Sequence, residues 1–330
     1  MKPNEIIEKY LAGTTDFSGE NLGAANLISA DLIGINFERA NLRGTNFMLA
    51  YLNRAILKEA NLIGSNLSGT NLSGADLSGA NLQNSNLHGV ILQKANLCEV
   101  NMSLASLLDA NLIAADMRGI DLSGADLTGA CLRGANLRQE KRTYTAKLRG
   151  AIAPKADLQG ANLSGADLSK VNLRGANLKN TNLRQVDLTY ADLSEANLQG
   201  AVLAKVNLTG ANLAGANLKD VKMNTAKLTE ADLSGANLQG ATMAKAKCDR
   251  AVFCEANLND VIMSGADLSR ANLSRADFSR AELIAAYFAR ANLRNAIFCE
   301  ANLTNAELIS ANIIGVNWKG AMMPDGTIHW

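Results

Sequence analysis

An all-β solenoid, wound from sides of five residues each, is the fold the sequence predicts. Three observations carry it. A large apolar residue returns at every fifth position over residues 17–137, which gives 25 positions with 20 Leu, 3 Phe and 2 Met. The pattern returns over residues 158–323 with 34 positions, 23 of them Leu. Two residues before each large residue stands a small one, and in the second run it is always Ala, Val or Thr, from Ala156 to Ala321.

A period of five fits neither the 3.6 of a helix nor the 2 of a flat strand. A helix would spread the Leu residues around its circumference, and a flat strand would send alternate ones to opposite faces. A chain that turns after each five-residue unit does neither. The large residue and the small one two before it then share an inward, strand-like face. The other three positions, mostly Asn or Asp followed by Ser, Gly, Lys, Arg or Gln, point outward.

The unit Ala-(Asp/Asn)-Leu-x-x, seen as Ala75-Asp76-Leu77-Ser78-Gly79 and Ala161-Asn162-Leu163-Ser164-Gly165, resembles the pentapeptide repeat. The resemblance covers residues 15–323. It implies a right-handed quadrilateral parallel β-helix, with four pentapeptides and 20 residues per coil. The 59 units would make about 15 coils, a rod of roughly 70 Å at ~4.8 Å per coil.

That geometry makes residues 20 apart stack. Phe278, Phe298 and Trp318 are so spaced, as are Met223, Met243 and Met263. On the outside, Asp260, Arg280 and Glu300 alternate in sign, Glu230 lies below Arg250, and Glu255 below Arg275. These read as inter-coil ion pairs of ~0–1 kcal/mol each. The core dominates stability at ~1.5–3 kcal/mol per buried Leu. Only neighbouring coils touch, so stability is quasi-one-dimensional.

Open ends of a β-helix invite edge pairing. Residues 1–14 supply a short capping helix, with Asn4 as N-cap, Ile6, Ile7, Tyr10 and Leu11 on one face, and Gly13 at its end. Residues 324–330 supply the other cap, a Pro324-Asp325-Gly326 turn followed by Ile328 and Trp330 to cover the last coil. Both termini resemble those of cyanobacterial pentapeptide repeat proteins, including members implicated in heterocyst differentiation. The two repeat segments are 15–137 and 158–323. Between them the register breaks: Leu137 and Leu148 are 11 apart, and Ala153 sits in a large-residue slot. A basic loop over 138–157 is expected.

Charge narrows the function. The chain has 32 Lys+Arg against 31 Asp+Glu, 4% aromatic residues and two His. Near-neutrality and few aromatics argue against nucleic-acid binding. No stretch approaches the ~20 apolar residues of a membrane helix, and no signal-peptide pattern is present. Five Cys without C-x-x-C spacing suit a reducing compartment, so a cytoplasmic location is expected. Residues 138–155 carry six basic residues and one acid, whereas 1–137 sum to −4 and 156–330 to 0. Arg138, Lys141, Arg142, Lys147 and Arg149, with Tyr144 as anchor, are therefore candidate contacts for an acidic partner. The column Arg250, Arg270, Arg290 is a second candidate, with Asp249 and Glu230 near enough to neutralise it.

Enzyme motifs are absent. His88 is exposed, Cys248 occupies a core slot, and Asn66-Leu67-Ser68 and its like arise from the repeat itself. No catalytic residue, metal or cofactor is expected. The expected function is a non-enzymatic protein–protein interaction scaffold, regulatory in a cyanobacterium by resemblance, either as a monomer or an end-to-end dimer. Some family members mimic DNA to occupy a type II topoisomerase. They are strongly acidic with Phe-rich cores, and this neutral, Leu-filled chain departs from both. A purely mechanical spacer is the remaining alternative.

Overall fold

The computed structural model describes residues 3–140 and 145–330. The chain divides into two compact units, Met1–Leu168 and Ser169–Trp330. In each, parallel bridges join residues 20 apart, as in Asp16↔Asn36 and Asn41↔Asn61 of the first unit and Asn197↔Asn217 and Asp277↔Ile297 of the second. Four pentapeptides therefore complete one coil, and each side contributes a single bridging residue.

The backbone hydrogen bonds explain the repeat. The large residue donates to the next coil (Leu22 N–H to Asn41 O, 2.8 Å), and the bridging residue donates to the previous one (Asn41 N–H to Glu20 O, 2.9 Å). The last turn residue also donates forward (Ala24 N–H to Arg43 O, 2.8 Å), and the small residue closes the turn (Ala25 N–H to Leu22 O, 3.1 Å). One donor remains, on the first turn residue, and the Asn or Asp side chain two positions earlier accepts it. Ser68 N–H reaches Asn66 Oδ1 at 3.1 Å and its hydroxyl reaches the same oxygen at 2.9 Å. Asn and Asp suit this bond because their short side chains fold back onto the backbone two residues on. Asn66→Ala is expected to cost about 1 kcal/mol, read as a fall in the urea midpoint. An unchanged midpoint would mean that water replaces the side chain fully.

The last turn residue has φ near +60°, as a type II turn demands. Glycine meets this at many turns, but among the described residues 35 non-glycine residues do so as well, including β-branched Thr225 at φ 58°. Each costs roughly 1 kcal/mol or more. The coil imposes this conformation, since the same residue must also donate to its neighbour.

Inside, the large and small positions close on each other. Leu198, Ala196, Met223, Met243 and Met263 are all fully buried. Buried polar residues at small positions find acceptors: Thr45 Oγ1 donates to Leu22 O (2.9 Å), Thr70 Oγ1 to Phe47 O (2.7 Å), and Ser65 Oγ to Ser85 Oγ (3.3 Å). Phe278 and Phe298 stack with ring centroids 4.8 Å apart, and Phe298 and Trp318 likewise at 4.8 Å. On the outer columns Arg280 pairs with Asp260 at 2.7 Å, Arg250 with Glu230 at 3.1 Å and Arg275 with Glu255 at 3.2 Å.

At the amino end, α1 (Pro3–Leu11) begins one residue before Asn4, which therefore lies within the first turn and is not an N-cap. Proline tolerates the first helical position because its missing N–H has no partner there. Ile6 is fully buried and the Tyr10 hydroxyl donates to Ile33 O at 2.9 Å, but Leu11 is 78% exposed and does not share the packed face. Gly13, at φ 95°, ends the helix with bonds from Gly13 N–H to Tyr10 O and Thr14 N–H to Lys9 O, both 2.9 Å, a Schellman arrangement.

At the carboxyl end, β1 (Ala321–Met322) pairs antiparallel with β2 (Ile328–His329) through the Pro-Asp-Gly turn. The turn forms as expected, but Trp330 is 93% exposed and Ile328 45%. β2 extends the edge of β1, so neither side chain is laid over the last coil.

Candidate functional site

The break is shorter than the sequence suggests. Before it the ladder continues through Leu137 and Gln139, whose N–H groups reach Asn162 O (2.7 Å) and Ser164 O (2.8 Å). It resumes at Lys147, which bridges Asp121 26 positions earlier, as Ile152 bridges Asp126. Ala146, Leu148, Ala151 and Ala153 are already buried. The coil thus resumes near Ala146 and not at 158. Ala153 fits a large slot because the alanine is closed in by its neighbours, and Pro154 takes the first turn position before Lys155 at φ 58°.

Of the break's candidates, Lys141, Arg142 and Tyr144 lie outside the described residues. Arg138 is exposed, 3.6 Å from Glu140. Glu140 is also held by Arg118 Nη1, and Arg118 clasps Asp116 through Nε (2.8 Å) and Nη2 (2.6 Å). Part of the positive charge counted in the sequence is therefore neutralised locally. Lys147 belongs to the wall, its Nζ 3.6 Å from Asp121. Arg149 is an exposed turn residue whose carbonyl accepts from Gly124 N–H at 3.1 Å, and it makes no ion pair among the described residues.

Arg118 was not singled out from the sequence. It stands 20 residues before Arg138 and 20 after Cys98, in one outer column, so the coil period itself was the missing signal. The hydrogen bond to Asp116 is the main cause that holds the Arg118 guanidinium protonated more firmly than usual. At Asp116 burial works upward, but the hydrogen bonds and charge of Arg118 outweigh it and hold the carboxyl below its ordinary 3.8. Asp121 is also lowered: burial opposes the shift, and bonds from Ser123 with the charge of Lys147 prevail.

These depressed carboxyls predict acid sensitivity. Each binds its proton more weakly in the folded chain than in the unfolded one. Their stabilisation is full above the unfolded value near 3.8 and is lost as pH falls through the lower folded values. The melting temperature is expected to fall as pH drops below about 4, and less steeply in Asp116→Asn. Equal slopes in wild type and variant would show that Asp116 does not contribute.

In the second unit, Arg250 pairs with Glu230 (3.1 Å) and Asp249 (3.8 Å), as its neighbours suggested. Arg270 and Arg290 stand on the next two rungs, their N–H groups bonded to Ala289 O and Ile309 O at 2.9 Å. Both are exposed and neither makes an ion pair among the described residues. The column thus offers two available guanidiniums and not three. The break and the column lie in different units, and each stands by itself.

Cys98 and Cys248 are not activated thiols. Burial first, then Asp116, pushes Cys98 up even with Arg118 Nη2 at 3.6 Å, and burial pushes Cys248 up further. Low reactivity follows, since the thiolate is the nucleophile. Among the described residues no group of three or more His, Cys, Asp or Glu is placed to hold a metal ion. No described helix is long and apolar enough to cross a membrane.

The 20-residue coil with one small and one large inward residue per side has a direct counterpart among protein families. The family model described as Pentapeptide repeats (8 copies) matches residues 21–58, 45–84, 65–103, 80–119, 105–139, 146–180, 166–204, 181–220, 207–244, 246–283 and 281–317. The chain belongs to the pentapeptide repeat family. This pentapeptide repeat protein is similar, at 27% identity over 100% of both chains and a TM-score of 0.43, to HetL, a pentapeptide repeat protein involved in heterocyst differentiation regulation from the cyanobacterium Nostoc sp. strain PCC 7120. It is 31% identical to a pentapeptide repeat protein of the Arabidopsis thaliana thylakoid lumen, over 38% of this chain and 68% of that one, with a TM-score of 0.19. With QnrB1, a plasmid-mediated fluoroquinolone resistance protein, it shares 18% identity over 58% of this chain and 87% of that one, at a TM-score of 0.30. No curated protein matches.

Proposed function

We propose that this pentapeptide repeat protein is a non-enzymatic interaction protein, and that its solenoid walls present charged side chains to a protein partner with an acidic surface. One observation carries the reading. The inward positions are filled by Leu and Ala at almost no exposure, as at Leu163, Ala166 and Leu168. Recognition therefore falls to the outward positions, where residue type varies from unit to unit. The basic break, with Arg138 and Arg149 and with Lys141, Arg142 and Tyr144 from outside the described residues, is one docking surface in this proposal, and the pair Arg270 and Arg290 is the other. In the same reading α1 closes the first of about 15 coils. The regulatory role in a cyanobacterium rests on the resemblance of the termini.

The test is capture from native lysate by three proteins: wild type, a variant with Arg138, Lys141, Arg142 and Lys147 all changed to Glu, and a variant with Arg270→Glu and Arg290→Glu. Circular dichroism would verify that all three keep the coil. A protein lost from one variant alone names the partner and its surface. Retention of the same proteins by all three would remove both surfaces, and an empty capture would favour the mechanical spacer.

A further inference from the structure

A larger cluster of free cations lies elsewhere in the second unit. On two adjacent sides of three successive coils stand Lys205, Lys222, Lys227, Lys245 and Lys247. Lys227 and Lys247 are direct bridge partners, and Lys222 lies one rung from Val202 and from Thr242 on the adjoining side. Lys205 and Lys245 occupy left-handed turn positions at φ 60° and 57°, which turn both outward at the corner between the two sides. All five are exposed, and none makes an ion pair among the described residues.

The surroundings sharpen the contrast. Asp267 bridges Lys247 from the next rung, and Asp220 precedes Lys222 by two residues, yet neither pairs with a lysine. In the same unit Arg250, Arg275 and Arg280 do find acidic partners. Lys227 and Lys247 stand on rungs ~4.8 Å apart, where like charges repel by about 1 kcal/mol in water. An acidic ligand removes that repulsion. Beside the cluster, Lys245, Lys247, Gly265, Asp267, Ser269 and Tyr287 line an open recess of about 340 Å³. Gly265 keeps its floor low, and Tyr287, 43% exposed, forms an apolar wall.

We propose that this corner is a docking surface for an acidic peptide segment of a partner protein. Its carboxylates would meet Lys222, Lys227, Lys245 and Lys247, and one apolar side chain would enter the recess against Tyr287. A single-stranded nucleic acid is the weaker fit, because such sites stack successive bases on several aromatic rings and this corner has one. The inference stands on the lysine corner alone, independently of the break and of Arg270 and Arg290.

The test is fluorescence polarisation at about 50 mM salt, where surface charge is weakly screened. The probe is a fluorescein-labelled peptide of eight glutamates around a central leucine, with its all-glutamine analogue and an oligothymidylate of equal length as comparisons. Wild type is expected to bind the glutamate peptide at least tenfold more tightly than either comparison. The double variant Lys227→Glu, Lys247→Glu should lose at least tenfold, and Tyr287→Ala about threefold, while Lys94→Glu, at an exposed turn of the other unit, binds as wild type does. Circular dichroism and melting temperature would establish that each variant is folded. No binding of the peptide, equal binding by the double variant, or tighter binding of the oligothymidylate would overturn the proposal.

Discussion

Leu198→Asp is expected to destabilise the second unit by at least about 4 kcal/mol. Leu198 is fully buried. Its N–H is committed to Asn217 O at 2.8 Å, so the backbone cannot carry the side chain outward without breaking the ladder. The inward positions on either side in the chain, Leu193, Ala196, Ala201 and Leu203, are buried and apolar, so an aspartate there either stays ionised without a partner or takes up a proton. Because only adjacent coils touch, the damage should be local. Hydrogen exchange should rise first in the coils around residue 198. Leu198→Met, similar in volume, should cost less than about 1.5 kcal/mol. A Leu198→Asp variant that melts within a few degrees of wild type would mean that position 198 does not face inward.

Phe298→Ala should be the next largest effect, about 3–5 kcal/mol. Phe298 stacks on Phe278 below and on Trp318 above, both at 4.8 Å, and meets Phe288 edge-on at 6.1 Å. Three rings in a column pack without voids because each occupies the same slot of successive coils. Truncating the middle one opens a cavity that neither neighbour can fill from its own rung. Trp318 reports the change. In a Trp330→Phe background it is the sole tryptophan, and its emission should shift to the red as the ring loses cover. A double-mutant cycle with Trp318→Ala should give a coupling of about 0.5–1.5 kcal/mol. A coupling of zero would mean that burial alone, without stacking, holds the column.

Much of the fold was legible because the repeat writes it in side-chain size. Leu every fifth residue with a small partner two before it admits one economical packing, and the columns Phe278–Phe298–Trp318 and Asp260–Arg280 followed from the 20-residue spacing alone. The ends were less legible. Gly13 was readable as a helix stop, since only a residue at ease at φ 95° closes that turn. The exposure of Leu11 and Trp330 was not, because amphipathic spacing does not say which residue of a face meets the coil.

The candidate site was legible only as a sum of charges. Residues 138–155 stood out because their charge is contiguous in the chain. The lysines at 205, 222, 227, 245 and 247 did not, because acids such as Asp220 and Glu230 lie among them in sequence and balance the count. In space Glu230 turns to Arg250, and the lysines share a corner of their own. Likewise the count at the break missed Arg118, which lies outside it and meets Glu140 across 22 residues.

By itself, then, the sequence determined which residues face inward, since that depends on local spacing and side-chain volume, and its resemblance to the family implied the length of a coil. The tertiary structure alone decided where the coil resumes after the break, which outer charges are neutralised and which stand free. Those depend on lateral contacts between residues 20 or 26 apart, and a charge is silenced or left available by its neighbour on the next rung, not by its neighbour in the chain.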